Sequence, residues 1–76
     1  MNRPCWYKVD GKIIAYISDD RKWFNSTSGV PKFYIDGKWI FSKEGDAVGI
    51  LDEQREWIFS PKGEPLGYLF PKLHAD

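Results

Sequence analysis

A tryptophan opens each of four successive stretches of this chain, and a glycine follows five or six residues later: Trp6 and Gly11, Trp23 and Gly29, Trp39 and Gly45, Trp57 and Gly63. Five residues beyond each glycine stand Tyr16, Tyr34, Ile50 and Tyr68, each followed by an aliphatic residue, Ile17, Ile35, Leu51 or Leu69. A fixed order of features returning every 16 to 18 residues is a repeat. A repeat constrains the fold more tightly than local propensity does, because each unit must pack against versions of itself. Every unit reads as an apolar run, a turn glycine and a second apolar run, which is the pattern of a β-hairpin. The units fall at about 6–20, 22–37, 38–54 and 56–70, with 71–76 as a tail, and the 76 residues make a single domain.

In the third and fourth units the turns read Ser42-Lys43-Glu44-Gly45-Asp46 and Ser60-Pro61-Lys62-Gly63-Glu64. This fits a three-residue hairpin loop, with glycine at the left-handed position and Pro61 presetting the φ of a type I turn. Counted from those loops, Trp39 faces Gly49, Trp57 faces Gly67, and Trp23 faces Phe33. The first unit is one residue shorter, but Asp10-Gly11 predicts a two-residue type I′ turn that restores the register and sets Trp6 opposite Ala15. A one-residue slip would turn every side chain to the other face of its strand, so this compensation predicts a tryptophan face that matters to the fold. On that reading Trp39→Ala and Trp57→Ala each cost ~3–5 kcal/mol, as large-to-small core changes do.

Asp36-Gly37, joining the second unit to the third, is another type I′ signature. Tight links between hairpins make each strand antiparallel to the next, which is a meander. Hairpins in series can stack as an open solenoid or close around an axis. Open stacks need polar end caps, whereas the first and last units here are as aromatic as the middle ones, and closure removes exposed sheet edges. The sequence thus predicts an all-β fold without helix: four antiparallel β-hairpin repeats arranged as a closed pseudo-fourfold meander.

The segments Gly11-Lys12-Ile13-Ile14-Ala15-Tyr16-Ile17 and Gly63-Glu64-Pro65-Leu66-Gly67-Tyr68-Leu69, each behind a short aromatic strand, resemble the repeats of the four-fold beta-flower domains found in bacterial proteins. The resemblance covers about residues 6 to 70. It implies a closed arrangement of four hairpins and brings no activity with it. The second unit departs most, with Phe33 where alanine or glycine is expected and Lys32 at an apolar position. The run Gly37-Lys38-Trp39-Ile40-Phe41 is also similar to the choline-binding repeats of bacterial surface proteins, although those are longer and belong to exported proteins.

A core of this size supplies only ~3–5 kcal/mol of net stability unaided, and the four Trp, four Tyr and five Phe are the means of burying more. Lys and Arg number 11, as do Asp and Glu, and they form no basic stripe, which argues against nucleic-acid binding. The single cysteine, Cys5, leaves no partner for an intramolecular disulfide and fits a reducing compartment. Without an apolar leader after Met1 or a run near the ~18 apolar residues of a membrane span, the expected location is cytoplasmic, with no membrane association.

No constellation names a reaction. His74 lies in the tail, and Cys5 has no histidine or lysine placed to activate it, so it reads as a buried apolar thiol and the protein as no enzyme. Asp36 and Asp52 stand at equivalent places beside Asp19, Asp20 and Glu53, where a ring of oxygens would suit Ca²⁺ or Mg²⁺. Phe70 fills the fourth such place, and Asp is an ordinary turn residue, so neither a metal nor another cofactor is expected. Trp6, Trp23, Trp39 and Trp57 are the candidate ligand residues. Converging on the axis, they would form a cage for a quaternary ammonium or apolar ligand, with core packing as the competing role. The opposite face is apolar as well, through Tyr16, Tyr34, Ile40, Ile50, Ile58 and Tyr68. A half-solvated sheet alternates apolar with polar, so this second face must be covered by neighbouring hairpins or by another chain. The functional expectation is a non-enzymatic protein-interaction or self-associating module, with a dimer the commonest closed form and a small-ligand cage as the alternative.

Overall fold

Short runs of aromatic and β-branched residues, which suit a pleated half-buried surface, alternate with turn residues to give eight strands: β1 Cys5–Tyr7, β2 Ile13–Ile17, β3 Trp23–Asn25, β4 Pro31–Asp36, β5 Trp39–Ser42, β6 Ala47–Leu51, β7 Trp57–Phe59 and β8 Pro65–Phe70. Each pairs antiparallel with the next, and β8 pairs back with β1, closing the sheet into a barrel. This computed structural model describes residues 3–71, and no helix occurs among them; His74 and the end of the tail lie outside the described residues.

The turn between β5 and β6 begins as the sequence predicts. The Ser42 N–H donates to the Asp46 carbonyl at 2.8 Å and the Gly45 N–H to the Ser42 carbonyl at 2.9 Å, with Gly45 at φ 98°. Phe41 then faces Ala47, but the next pair is Ile40 with Gly49, so Val48 is an extra, unpaired residue. The same β-bulge recurs at Ile14, Lys32 and Leu66. A bulge bends its strand and adds twist, and curvature of that kind lets very short strands close into a barrel. Ile14, Val48 and Leu66 pack at the margin of the core, while Lys32 is exposed there, which explains why a lysine is tolerated at this otherwise apolar position.

These bulges overturn the expected register. Trp39 faces Ile50, Trp57 faces Tyr68 and Trp23 faces Tyr34, whereas Gly49 and Gly67 face Ile40 and Ile58. The first hairpin has no two-residue turn either. Its Lys8 N–H donates to the Lys12 carbonyl and its Gly11 N–H to the Lys8 carbonyl, which is the bonding found at Ser42 to Asp46. Trp6 does face Ala15, but through a three-residue loop and a bulge. Trp6 therefore shares its register position with Phe24, Ile40 and Ile58. It is Cys5 that stands where Trp23, Trp39 and Trp57 stand. The link between β4 and β5 also shifts by one: Asp36 pairs with Trp39, so the loop is Gly37-Lys38, with Gly37 at φ 63° in the first loop position.

Inside the barrel, Trp6, Phe24, Ile40 and Ile58 meet Ala15, Ile17, Leu51 and Leu69, all buried, with Phe33 and Ile35 packed against them. Large and small residues compensate. The Trp6 indole reaches the rings of Phe24 and Phe33, each at 5.4 Å between centroids. The positions equivalent to Phe33 hold Ala15, Gly49 and Gly67. One indole and one extra phenyl ring thus occupy the space that three small residues leave, as close packing of an interior requires.

Candidate functional site

With the interior filled, the chemistry of the molecule lies on its outer face. Cross-strand pairs there form rows running over the junctions between hairpins: Trp23, Tyr34 and Phe41; Trp39, Ile50 and Phe59; Trp57, Tyr68 and Tyr7. Neighbouring strands lie ~4.8 Å apart, a spacing at which rings in one row touch. Tyr34 stacks on Phe41 at 5.1 Å and Tyr7 on Tyr68 at 5.4 Å, while Trp23 and Trp57 meet Tyr34 and Tyr68 at 5.6 and 5.5 Å. Each such contact adds about 0.5–1.5 kcal/mol beyond area burial.

The sequence-predicted residues divide between the two faces. Of the four tryptophans expected to converge on the axis, only Trp6 points inward, at 4% exposure. Trp23 is half-buried on the outer face, and Trp39 and Trp57 are 37% and 38% exposed there, so the four do not form an axial cage. Of the residues expected on the opposite face, Tyr16, Tyr34, Ile50 and Tyr68 are half-buried on the outside, whereas Ile40 and Ile58 are fully buried in the core. The cause is the bulge, which reverses the face of every residue on the return strand beyond it. Phe41 and Phe59, the far ends of two rows, escape the sequence reading for that reason. The signal was present in the extra apolar residue before each small one, as in Ala47-Val48-Gly49 and Pro65-Leu66-Gly67.

The acidic turn residues close loops. The Asp20 carboxylate accepts from the Ser18 hydroxyl and the Lys22 N–H, and these bonds, the serine's foremost, hold it below the usual carboxylate range. Asp52 accepts from the N–H groups of Glu56 at 2.8 Å and Trp57 at 3.3 Å. Asp19 is paired with the Arg3 guanidinium.

The fourth outer row differs from the rest. It reads Cys5, Tyr16 and Asn25, a small thiol and an amide where the other rows hold a tryptophan and a phenylalanine or tyrosine. Cys5 is half-exposed rather than buried as expected, because its register position points outward. The thiol donates to the Arg3 carbonyl at 3.7 Å. Beside it the Tyr7 phenol is raised above its ordinary value, chiefly by the charge of Cys5, then by partial burial, the Cys5 hydrogen bond and Tyr68. A cleft of about 460 Å³ opens here, lined by Arg3, Cys5, Tyr7, Ile13, Tyr16, Phe70 and Pro71. A second apolar hollow of about 530 Å³ lies at the barrel margin between Trp6, Val9, Ile14, Pro65 and Leu66.

No protein-family model, no curated protein and no solved structure matches this chain.

Proposed function

We propose that the chain is a non-enzymatic β-repeat module, its four hairpins forming a pseudo-fourfold arrangement of the beta-flower kind, and that it works by self-association through the outer aromatic rows. The observation that carries this reading is the exposure of Trp39 and Trp57, each above a third, on a barrel whose interior is already full. Exposed indoles are good anchors for a protein contact, and Trp57 lies against Tyr68, which stacks on Tyr7. The formal net charge of zero removes the repulsion that would keep copies apart.

Light scattering at micromolar concentration tests it. The wild-type chain should have a mass near twice its 8.9 kDa. The double variant Trp39→Ser/Trp57→Ser should return to the mass of one chain while keeping a cooperative thermal unfolding transition, measured below the association range. A wild-type mass of one chain at all concentrations would contradict self-association.

A further inference from the structure

We infer that the cleft above Cys5 is a binding site for a planar aromatic ring of about indole size. Three of the four equivalent register positions carry an indole on the outer face, Trp23, Trp39 and Trp57, and each faces Tyr34, Ile50 or Tyr68 across its hairpin. At the fourth position the partner, Tyr16, is present, but the indole is replaced by the thiol of Cys5. The wall on the other side is also in place. Phe70 pairs with Cys5 from β8, so Phe70, Cys5 and Tyr16 form one cross-strand row with the small residue in the middle. Phe70 is 66% exposed.

Two strand spacings put the bases of Phe70 and Tyr16 about 9.5 Å apart. A ring lying between them would be ~4.7 Å from each, inside the 4.5–7 Å range in which aromatic pairs attract. The cleft of about 460 Å³ is within the size range of small-ligand sites. Its edge is polar. The Arg3 guanidinium, paired with Asp19, keeps further N–H donors for an acceptor group on the ring. The Tyr7 phenol lies on the opposite side of Cys5, its hydroxyl neutral in the ordinary pH range.

The site does not depend on self-association, and Cys5, the one thiol in the sequence, reports its occupancy. Alkylation of Cys5 by iodoacetamide should slow about tenfold when indole-3-acetate stands at ten times its dissociation constant, since occupancy protects by the factor one plus ligand over Kd. The same tenfold protection should be found in the Trp39→Ser/Trp57→Ser chain, which separates this site from the proposed self-association surface. Cyclohexylacetate, with the same carboxylate and no aromatic ring, should protect at least tenfold more weakly. Phe70→Ala should lose the protection, read as the ratio of its own liganded and unliganded alkylation rates. A second arm uses a capped Gly-Trp-Gly peptide: the tighter of the two probes tells whether the ring comes as a free small molecule or on a polypeptide. Protection by neither ring, equal protection by cyclohexylacetate, or full protection in Phe70→Ala would overturn the assignment.

Discussion

Gly67→Ala should strip away a large part of the chain's stability. Gly67 has φ 152°, a backbone conformation that side chains rarely adopt, and a Cβ there would collide with the carbonyl oxygen of Tyr7 and lie 2.8 Å from the Trp6 Nε1. The Tyr7 obstacle is backbone, in the strand that closes the barrel against β8, so it cannot be relieved by a rotamer change. A cost of ~4 kcal/mol or more is expected, in the range reserved for strain and steric overlap. For 76 residues the total stability is about 4–11 kcal/mol. Gly49→Ala makes the control. Its Cβ would lie 3.1 Å from an Ile58 methyl and 3.5 Å from the Phe59 carbonyl oxygen. The equivalent Ala15 is fully buried in the first hairpin, so an alanine at this register position can be housed. Urea unfolding of both variants checks the pair: Gly49→Ala should lose no more than ~1.5 kcal/mol. Equal losses would mean that β8 does not approach β1 as closely as the register requires.

Trp6→Ala should cost ~3–5 kcal/mol, while Trp39→Ala and Trp57→Ala should each cost no more than ~1.5 kcal/mol. This reverses the ranking that the spacing of tryptophans suggests. Trp6 is 4% exposed and packs on Phe24 and Phe33 in the barrel interior, whereas Trp39 and Trp57 are 37% and 38% exposed on its outside. Trp6→Phe should recover most of the loss. The buried Trp6 Nε1 has no hydrogen-bond partner among the described residues, so removing it sacrifices no bond seen there and relieves an unsatisfied donor, leaving the smaller ring volume to be felt. Thermal unfolding of the four variants distinguishes the two rankings.

The all-β character, the meander and the closure were legible in the sequence, because they follow from turn glycines at a regular period and from aromatic residues in every unit. The three-residue loops at Ser42 to Asp46 and Ser60 to Glu64 were read correctly from their glycines. What was not legible was the bulge. Val48 and Leu66 look like ordinary strand residues, and an alternating pattern counted through them assigns Leu51 and Leu69 to the face of Trp39 and Trp57, although both leucines are buried in the core. In the first hairpin the missing residue between Trp6 and Gly11 reads, in the sequence alone, as a shorter loop. It reflects instead an indole moved one place along the strand, from the outside to the inside. That shift both supplies the largest core residue and leaves the gap at Cys5, so the stability of the barrel and its most distinctive cleft have a common origin in one displaced tryptophan.

The face of every outer and inner residue turns on the four bulges, and the cross-strand register beside them is directly measurable. The Leu51 N–H donates to the Lys38 carbonyl at 2.7 Å, making Lys38 and Leu51 a hydrogen-bonded pair. Trp39 and Ile50, the next pair, are then of the non-hydrogen-bonded kind in which the two Cα atoms approach to ~4.5 Å. Two-dimensional NMR on the wild-type chain should show strong Hα–Hα cross-peaks between Trp39 and Ile50 and between Trp57 and Tyr68. Cross-peaks from Trp39 to Gly49 and from Trp57 to Gly67 in their place would mean unbulged strands, with the tryptophans turned inward and Ile40 and Ile58 on the surface.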